Sequence, residues 1–320
     1  MKPKIFVTRL LPKPAMDLLA TTFEVRVNPH DHVLTKNEIL EGTKWCDLLL
    51  CLLTDTIDKD IITCNPKLIG IVNYAVGFNN IDVKVAAELK IPVTNTPGVL
   101  TETTADLTWA LIMAVSRNLY KSEKFLREGK FQGWGPMLLL GSDIHGKTLG
   151  IVGAGRIGTA VARRAVGFDM KIIYADTDEM ELEYQAEKVP FDELLQRADY
   201  VSIHVPLLPE TRHLIGEREL YLMKNSAYLI NTARGPIVDE KALVKALQKG
   251  WIAGAGLDVY ENEPQVESGL LECENAVLLP HLGSATHETR TKMGLIAASN
   301  AIAIFTGEIP PQIVNPEIYE

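Results

Sequence analysis

The 320-residue chain has no run of about eighteen apolar residues, so no segment is expected to cross a membrane as a helix. Its first residues, MKPKIFVTRLLPKPAMDLL, interrupt the apolar positions with Lys, Arg and Pro, so the continuous apolar core of a secretory signal is lacking. Cysteine is scarce. Cys46, Cys51, Cys64 and Cys273 form no C-x-x-C pair and no zinc-ligand spacing, which leaves no metal site in view and suggests small buried thiols in a reducing compartment. The cytoplasm is therefore the expected setting. Positive charge is also short, with 32 Lys and Arg against 41 Asp and Glu and a net charge of -9. A nucleic-acid surface would need a basic patch or stripe, so no nucleic-acid partner is expected. Low-complexity segments and sequence repeats are missing too.

What is present is an ordinary globular composition, 47% hydrophobic and 23% charged, at a length that suggests two domains. Two series of strand-like runs alternate with amphipathic stretches. The first series is KIFVTR, FEVRVN, DLLLCLL, LIGIVNYAV and IPVTNTP; the second is TLGIVG, KIIYAD, DYVSIHVP, AYLINTA, IAGAGLDV and AVLLP. Short, nearly continuous apolar strands between helical patterns such as MELEYQAEKVPFDELLQRA predict β-α-β units and parallel sheets covered on both faces. Between the series, TETTADLTWALIMAVSRNLYKSEKFLREGKF reads as one long helix, and HETRTKMGLIAASNAIAIFTGE as another near the end. The expected fold is α/β: two doubly wound parallel-sheet lobes, a Rossmann domain over residues 98–286 and a flavodoxin-like domain over residues 1–97 and 287–320.

The stretch GIVGAGRIGTA, residues 150–160, holds a G-x-G-x-x-G pattern between a buried strand and a helix. Gly153 permits the turn, Gly155 lets backbone amides reach a pyrophosphate, and Gly158 lets helix and strand pack closely. The helix amino end offers partial positive charge to phosphates. The next strand ends at Asp176, about twenty residues on, where a carboxylate accepts a ribose diol and repels a 2′-phosphate. No Lys or Arg follows in DTDEME, so NAD is expected over NADP.

In an open parallel sheet, ligands sit at the carboxyl ends of the strands. There the later strands carry Thr232 and Arg234, then Asp258 and on to Glu263, then His281. This set suits reduction of a 2-oxo acid. A guanidinium fork holds a carboxylate; an imidazole gives a proton to the ketone oxygen near neutral pH; a neighbouring carboxylate stabilises the imidazolium. Glu263 is the candidate for that carboxylate, beside Glu261 in the same loop. His204, also at a strand end, is either a cofactor contact or structural.

NYAVGFNNID, TPGVLTETTADLTWALIMA, GKTLGIVGAGRIG, HVPLLPETRHLI, NTARGPIVDE, GLDVYENEP and LLPHLGSAT, in that order, cover essentially the whole chain. Together they resemble the D-isomer-specific 2-hydroxyacid dehydrogenases, in the glyoxylate/hydroxypyruvate reductase branch. The resemblance implies Arg234, Glu263 and His281 as the catalytic set, with Asp258 receiving the nicotinamide carboxamide. It also implies that Thr104, Arg156, Ile157, Pro206, Thr211, Thr232, Ala233 and Gly283 line the cofactor together with the three glycines, Asp176, Arg234 and His281. Substrate contacts would be Arg234, His281, Leu53 and the backbone of Val76 and Gly77, with Trp134 reaching the neighbouring protomer of a homodimer. Leu52 and Leu53 stand where phosphoglycerate dehydrogenases usually present an arginine, and the residues after His281 are too few for their regulatory domain. Glyoxylate or hydroxypyruvate with NADH is thus the expected pair. The alternatives are another D-2-hydroxy acid, of keto-gluconate, D-lactate or phosphoglycerate type, and a cofactor-sensing, corepressor-like binding protein. Several reductases of this branch carry an arginine after the second strand and prefer NADP, where this chain has YADTD.

Overall fold

The computed structural model describes residues 2–179 and 184–320. By contacts the chain divides into two compact units, Met1–Leu100 with Ser284–Glu320, and Thr101–Gly283. Among the described residues, every ladder between two strands of a sheet is parallel, and Thr94 adds a single antiparallel bridge to Ile313.

The first unit contains β1 (Lys4–Val7), α1 (Lys13–Thr22), β2 (Glu24–Val27), α2 (Lys36–Trp45), β3 (Leu48–Leu52), α3 (Lys59–Thr63), β4 (Gly70–Tyr74), α4 (Val83–Glu88) and β5 (Val93–Thr94). Its sheet runs β2-β1-β3-β4-β5, the flavodoxin-like order. Alternation along the strands sends Ile5, Val7, Leu48, Leu50 and Val72 to one core, and Phe6, Leu49, Cys51 and Ile71 to the other. α1 and the terminal helix (His287–Thr306) cover the first core through Ala15, Leu19, Ala297 and Ala301; Ile39, Ile61 and Ala86 of α2, α3 and α4 cover the second. Two-sided covering is why these strands read as nearly unbroken apolar runs.

The second unit contains α5 (Thr101–Ser116), α6 (Leu119–Arg127), β6 (Thr148–Val152), α7 (Arg156–Ala165), β7 (Lys171–Ala175), β8 (Glu187–Lys188), α8 (Phe191–Arg197), β9 (Tyr200–Ile203), α9 (Glu217–Leu222), β10 (Tyr228–Asn231), α10 (Glu240–Lys249), β11 (Gly254–Leu257), α11 (Ser268–Glu272) and β12 (Ala276–Leu278); the terminal helix of the first unit is then α12. The order β12-β11-β10-β9-β6-β7-β8 reverses direction at β6, between β9 and β7. That is a Rossmann arrangement with its switch point beside the glycine stretch. One face carries α5 and α7 through Ala105, Trp109, Ile112 and Val161. The other carries α8, α9, α10 and α11 through Leu194, Leu220, Leu243 and Leu270. Removing a fully buried leucine such as Leu229 would cost about 2–5 kcal/mol.

Two sequence expectations need correction. The predicted long helix is two helices, because Asn118 adopts φ 51. The Ser116 carbonyl there accepts the Ser142 amide at 2.8 Å instead of continuing the helix. Among the described residues of the stretch MELEYQAEKVPFDELLQRA, the helix is Phe191–Arg197, with Pro190 at its N-cap and the edge strand β8 before it. Residues 180–183 of that stretch lie outside the described residues.

Candidate active site

The glycine turn after β6 shows why side chains are missing there. Gly153 has φ +92, and a Cβ on it would come within 2.8 Å of the Val205 backbone nitrogen; only glycine fits both demands. A Cβ on Gly158 would lie 2.1 Å from the Gly153 carbonyl oxygen, so α7 is pressed onto the turn. A Cβ on Gly155 would instead enter open space. α7 also starts without a side-chain cap, leaving first-turn amides for an outside acceptor. Asp176 ends β7 beside this turn and accepts the Ala154 amide at 2.7 Å and the Asp178 amide at 3.2 Å. The Thr177 hydroxyl is a third donor to it at 3.3 Å, and since a carboxylate has about four acceptor positions, capacity remains for a ribose hydroxyl. These residues fit a dinucleotide: bare backbone at a helix start, and an acid at the next strand's end.

Across the switch point, Thr211 donates its hydroxyl to the Pro206 carbonyl at 2.6 Å and fixes the loop after β9. Thr232, at the end of β10, meets Thr108 of α5 at 2.9 Å between hydroxyl oxygens. Thr104, one turn earlier on α5, donates to the Gly283 carbonyl at 3.0 Å. Arg156 is exposed and Ile157 half-buried at the first turn of α7. His204 lies at the end of β9 with Nε2 2.8 Å from Ser202 Oγ, and burial pulls its imidazole down to about 3. It is therefore neutral at physiological pH.

Asn231 closes the turn that presents Arg234. Its side-chain oxygen accepts the Ala233 amide at 3.0 Å and its nitrogen donates to the Arg234 carbonyl at 2.9 Å. The Arg234 guanidinium donates to the Ala233 carbonyl at 2.6 Å, and its other N–H groups meet no acceptor among the described residues. Burial lowers its affinity for the proton below the usual arginine value, opposed by the negative charge of Glu263. A desolvated guanidinium with most donors unspent is a carboxylate receptor.

His281 follows β12 with φ 56, a conformation costing about 1–3 kcal/mol for a residue with a side chain. Asp258 holds it there. The Asp258 carbonyl accepts the His281 amide at 2.9 Å, and its carboxylate accepts the next two amides, Leu282 at 2.6 Å and Gly283 at 2.8 Å. Burial raises the Asp258 carboxyl above its usual range in spite of those amides and of nearby His281. The result is an imidazole whose Nδ1 sits 2.9 Å from Glu263 Oε2. Glu263 Oε1 accepts the Tyr260 amide at 2.9 Å. Burial acts to raise the Glu263 carboxyl, but its bond to His281, with the Tyr260 amide and Arg234, leaves it below the usual range. An ionised carboxylate only accepts hydrogen bonds, so Nδ1 carries a proton and Nε2 is left for exchange with a ligand.

The loop bearing Glu263 has a support that sequence reading missed. Glu240, the first residue of α10, is buried, and its two carboxylate oxygens accept the amides of Glu261 (2.6 Å) and Glu267 (3.3 Å) at the two ends of the loop. Behind Arg234, the Tyr260 backbone packs so closely on Gly235 that a Cβ there would lie 1.8 Å from a carbonyl carbon. The other loop carboxylate, Glu261, pairs with His213 at 2.7 Å and Arg212 at 3.1 Å, away from His281. Among the described residues, no group of His, Cys, Asp and Glu could hold a metal, and no helix is long and apolar enough to span a membrane.

Leu53, Val76 and Gly77 belong to the first unit, at the carboxyl ends of β3 and β4. Trp134, in the second unit, is 85% exposed.

Residues 109–283 match the family described as D-isomer specific 2-hydroxyacid dehydrogenase, NAD binding domain. The chain belongs to this family. As a 2-hydroxyacid dehydrogenase it is a nicotinamide-dependent oxidoreductase. It is 51% identical to a glyoxylate reductase of Korarchaeum cryptofilum, over 99% of this chain and 97% of that one. A crystal structure of a Thermus thermophilus protein superposes with a TM-score of 0.92 at 43% identity, covering 97% of this dehydrogenase and 99% of that chain. The NADPH-dependent glyoxylate/hydroxypyruvate reductase of Sinorhizobium meliloti, solved with NADP and malonate, gives a TM-score of 0.86 at 32% identity over 98% and 97% of the two chains.

Proposed function

We propose that this chain reduces glyoxylate and hydroxypyruvate to glycolate and D-glycerate, with NADH preferred over NADPH. The observation that carries the chemistry is the 2.9 Å contact between His281 Nδ1 and Glu263 Oε2, beside a guanidinium with unspent donors. The names of the relatives carry the substrate. The unit Thr101–Gly283 would hold the coenzyme, with its phosphates at Gly153, Gly155, Arg156, Ile157 and Gly158, its ribose at Asp176, and Thr104, Pro206, Thr211, Thr232, Ala233, Asp258 and Gly283 along its length. When bound, the nicotinamide supplies a hydride to the carbonyl carbon. Arg234 holds the substrate carboxylate through its fork. His281 Nε2 gives its proton to the carbonyl oxygen, and Glu263 keeps the ring oriented and stabilises it while charged. The bond order of the carbonyl falls from two to one, and the alcohol leaves with one hydrogen added at carbon and one added at oxygen. In the reverse direction the neutral Nε2 takes the hydroxyl proton.

Leu53 and the backbone amides of Val76 and Gly77 are the proposed substrate contacts of the first unit, Leu53 favouring a small, unphosphorylated acid. Exposed Leu119, Tyr120, Leu126, Phe131, Trp134 and Met137 lie along one stretch of the chain, which supports a homodimer, with Trp134 offered to the partner's site. All four cysteines are free, in keeping with a reducing cytoplasm.

Initial rates with glyoxylate, hydroxypyruvate, pyruvate, a keto-gluconate and 3-phosphohydroxypyruvate, each with NADH and NADPH, test the reading. Highest kcat/KM on the two- and three-carbon unphosphorylated acids with NADH is expected. Inactivity on both glyoxylate and hydroxypyruvate would overturn the substrate assignment, and faster turnover with NADPH the coenzyme assignment.

A further inference from the structure

After β4 the backbone carbonyls of three successive residues are tied down from behind. The Ala75 carbonyl accepts the Thr96 amide at 2.8 Å, the Val76 carbonyl accepts Asn95 Nδ2 at 2.7 Å, and the Gly77 carbonyl accepts Asn73 Nδ2 at 2.8 Å. In a planar trans peptide the carbonyl and the following N–H point in opposite directions. Fixing these three carbonyls therefore aims the amides of Val76, Gly77 and Phe78 the other way, and none of the three donates to an acceptor among the described residues.

The donors are themselves anchored. Asn73 and Thr96 are fully buried and Asn95 nearly so. The Asn95 amide donates to the Gln312 carbonyl at 3.2 Å, and the Asn95 carbonyl accepts Nδ2 of buried Asn300 at 3.2 Å. Asn73 Oδ1 lies 3.8 Å from Cys51 Sγ on the neighbouring strand. An aliphatic side chain would fill such interior space without desolvating a carboxamide, which is costly unless the carboxamide is hydrogen-bonded. Carboxamides spent on adjacent carbonyls of one loop indicate that the loop's orientation is what they secure.

We infer that Asn73 and Asn95 are positioning residues for the substrate carboxylate: by holding the carbonyls of Gly77 and Val76 they present consecutive backbone amides as a fixed neutral receptor for a planar carboxylate. This rests on the proposed reduction of 2-oxo acids. It adds that the first unit recognises the acid by backbone donors whose direction is set by two asparagines, with neither of them touching substrate.

The test uses the full-length protein and oxalate, a carboxylate that cannot be reduced, titrated calorimetrically in the presence of NADH. Asn73→Ala and Asn95→Ala should each weaken oxalate about tenfold, the equivalent of one misdirected hydrogen bond to a charged group. The KM for glyoxylate should rise by a similar factor, with kcat and the NADH dissociation constant near wild type. In the unmutated protein, hydrogen exchange at the amides of Val76, Gly77 and Phe78 should slow when oxalate is added, a readout that requires no variant to fold. Wild-type affinity for oxalate in both variants, no oxalate binding by the wild type, or unchanged exchange at these amides would each overturn the inference. If the chain reduces no oxo acid, the proposed function falls, while oxalate binding and exchange still decide this inference.

Discussion

The two units share a plan, parallel strands covered by helices on both faces, and both carry their proposed ligand groups at the carboxyl ends of strands. They differ in what those ends display. In the second unit the ends of β10, β11 and β12 lead to Arg234, Glu263 and His281, ionisable side chains held by Asn231, Glu240 and Asp258. In the first, the end of β4 leads to Val76 and Gly77, whose carbonyls are held by Asn95 and Asn73. The same topology thus supports reacting side chains in one unit and an oriented backbone in the other. A group that moves a proton must be a side chain that titrates, whereas a group that only fixes a carboxylate needs direction, which amides supply.

The sharpest way to break this contrast is to remove the proton donor. His281→Ala should lower kcat for glyoxylate reduction by about 10²–10⁴, with NADH binding, followed by protein-to-coenzyme fluorescence, close to wild type. A change confined to KM would place His281 with the first unit's binding groups and dissolve the distinction. Next comes Arg234→Lys, which keeps the charge but replaces a planar fork with a point charge. A loss of about 10² in kcat/KM is expected; near-wild-type efficiency would mean that the guanidinium does not receive the carboxylate.

The same contrast explains what the sequence could reveal. Gly153 and Gly158 were legible because the constraint is local: only glycine tolerates φ +92 or a carbonyl 2.1 Å from its Cβ position. Arg234 and His281 were legible as ionisable residues directly after apolar strands. Glu240 was not, because an acid following the Asp239 cap looks like any first-turn helix acid, and its partners are backbone amides of residues 261 and 267. Asn73 and Asn95 were hidden for a similar reason: each acts on a carbonyl, which carries no residue identity. β8 escaped because Glu187–Lys188 is a two-residue exposed edge without apolar alternation, and the helix break at Asn118 depends on a tertiary contact with Ser142.

A smaller effect is expected at the coenzyme's ribose. Asp176→Ala removes a negative charge from the end of β7, so the ratio of kcat/KM with NADPH to that with NADH should rise by about tenfold. Part of the response will be a looser turn, since the Ala154 amide loses its 2.7 Å acceptor and binding of both coenzymes weakens. The ratio cancels that common loss. An unchanged ratio would separate Asp176 from coenzyme choice and leave it as a brace of the glycine turn.

The last contrast sets two titratable groups, one from each unit, against each other through the pH dependence of folding. Burial pulls His204 down to about 3, whereas an unfolded histidine titrates near 6.5. Above that pH both states are neutral and nothing changes. As pH falls from about 6.5 towards 3, only the unfolded chain binds the proton, and stability drops by about 1.4 kcal/mol per unit. Asp55 of the first unit has the opposite sign. Burial raises its carboxyl above the usual range, against the Thr8 hydroxyl and the Leu52 amide. Its contribution is complete below the unfolded value near 3.9 and disappears as pH rises through the folded one. Thermal unfolding by circular dichroism between pH 4 and 8, ~0.5 units apart, should therefore show His204→Asn gaining on the wild type as the solution is acidified, and Asp55→Asn gaining as it is made more basic. Parallel curves for His204→Asn and wild type would mean that the imidazole is solvated in the folded state, and the end of β9 would then be open to water.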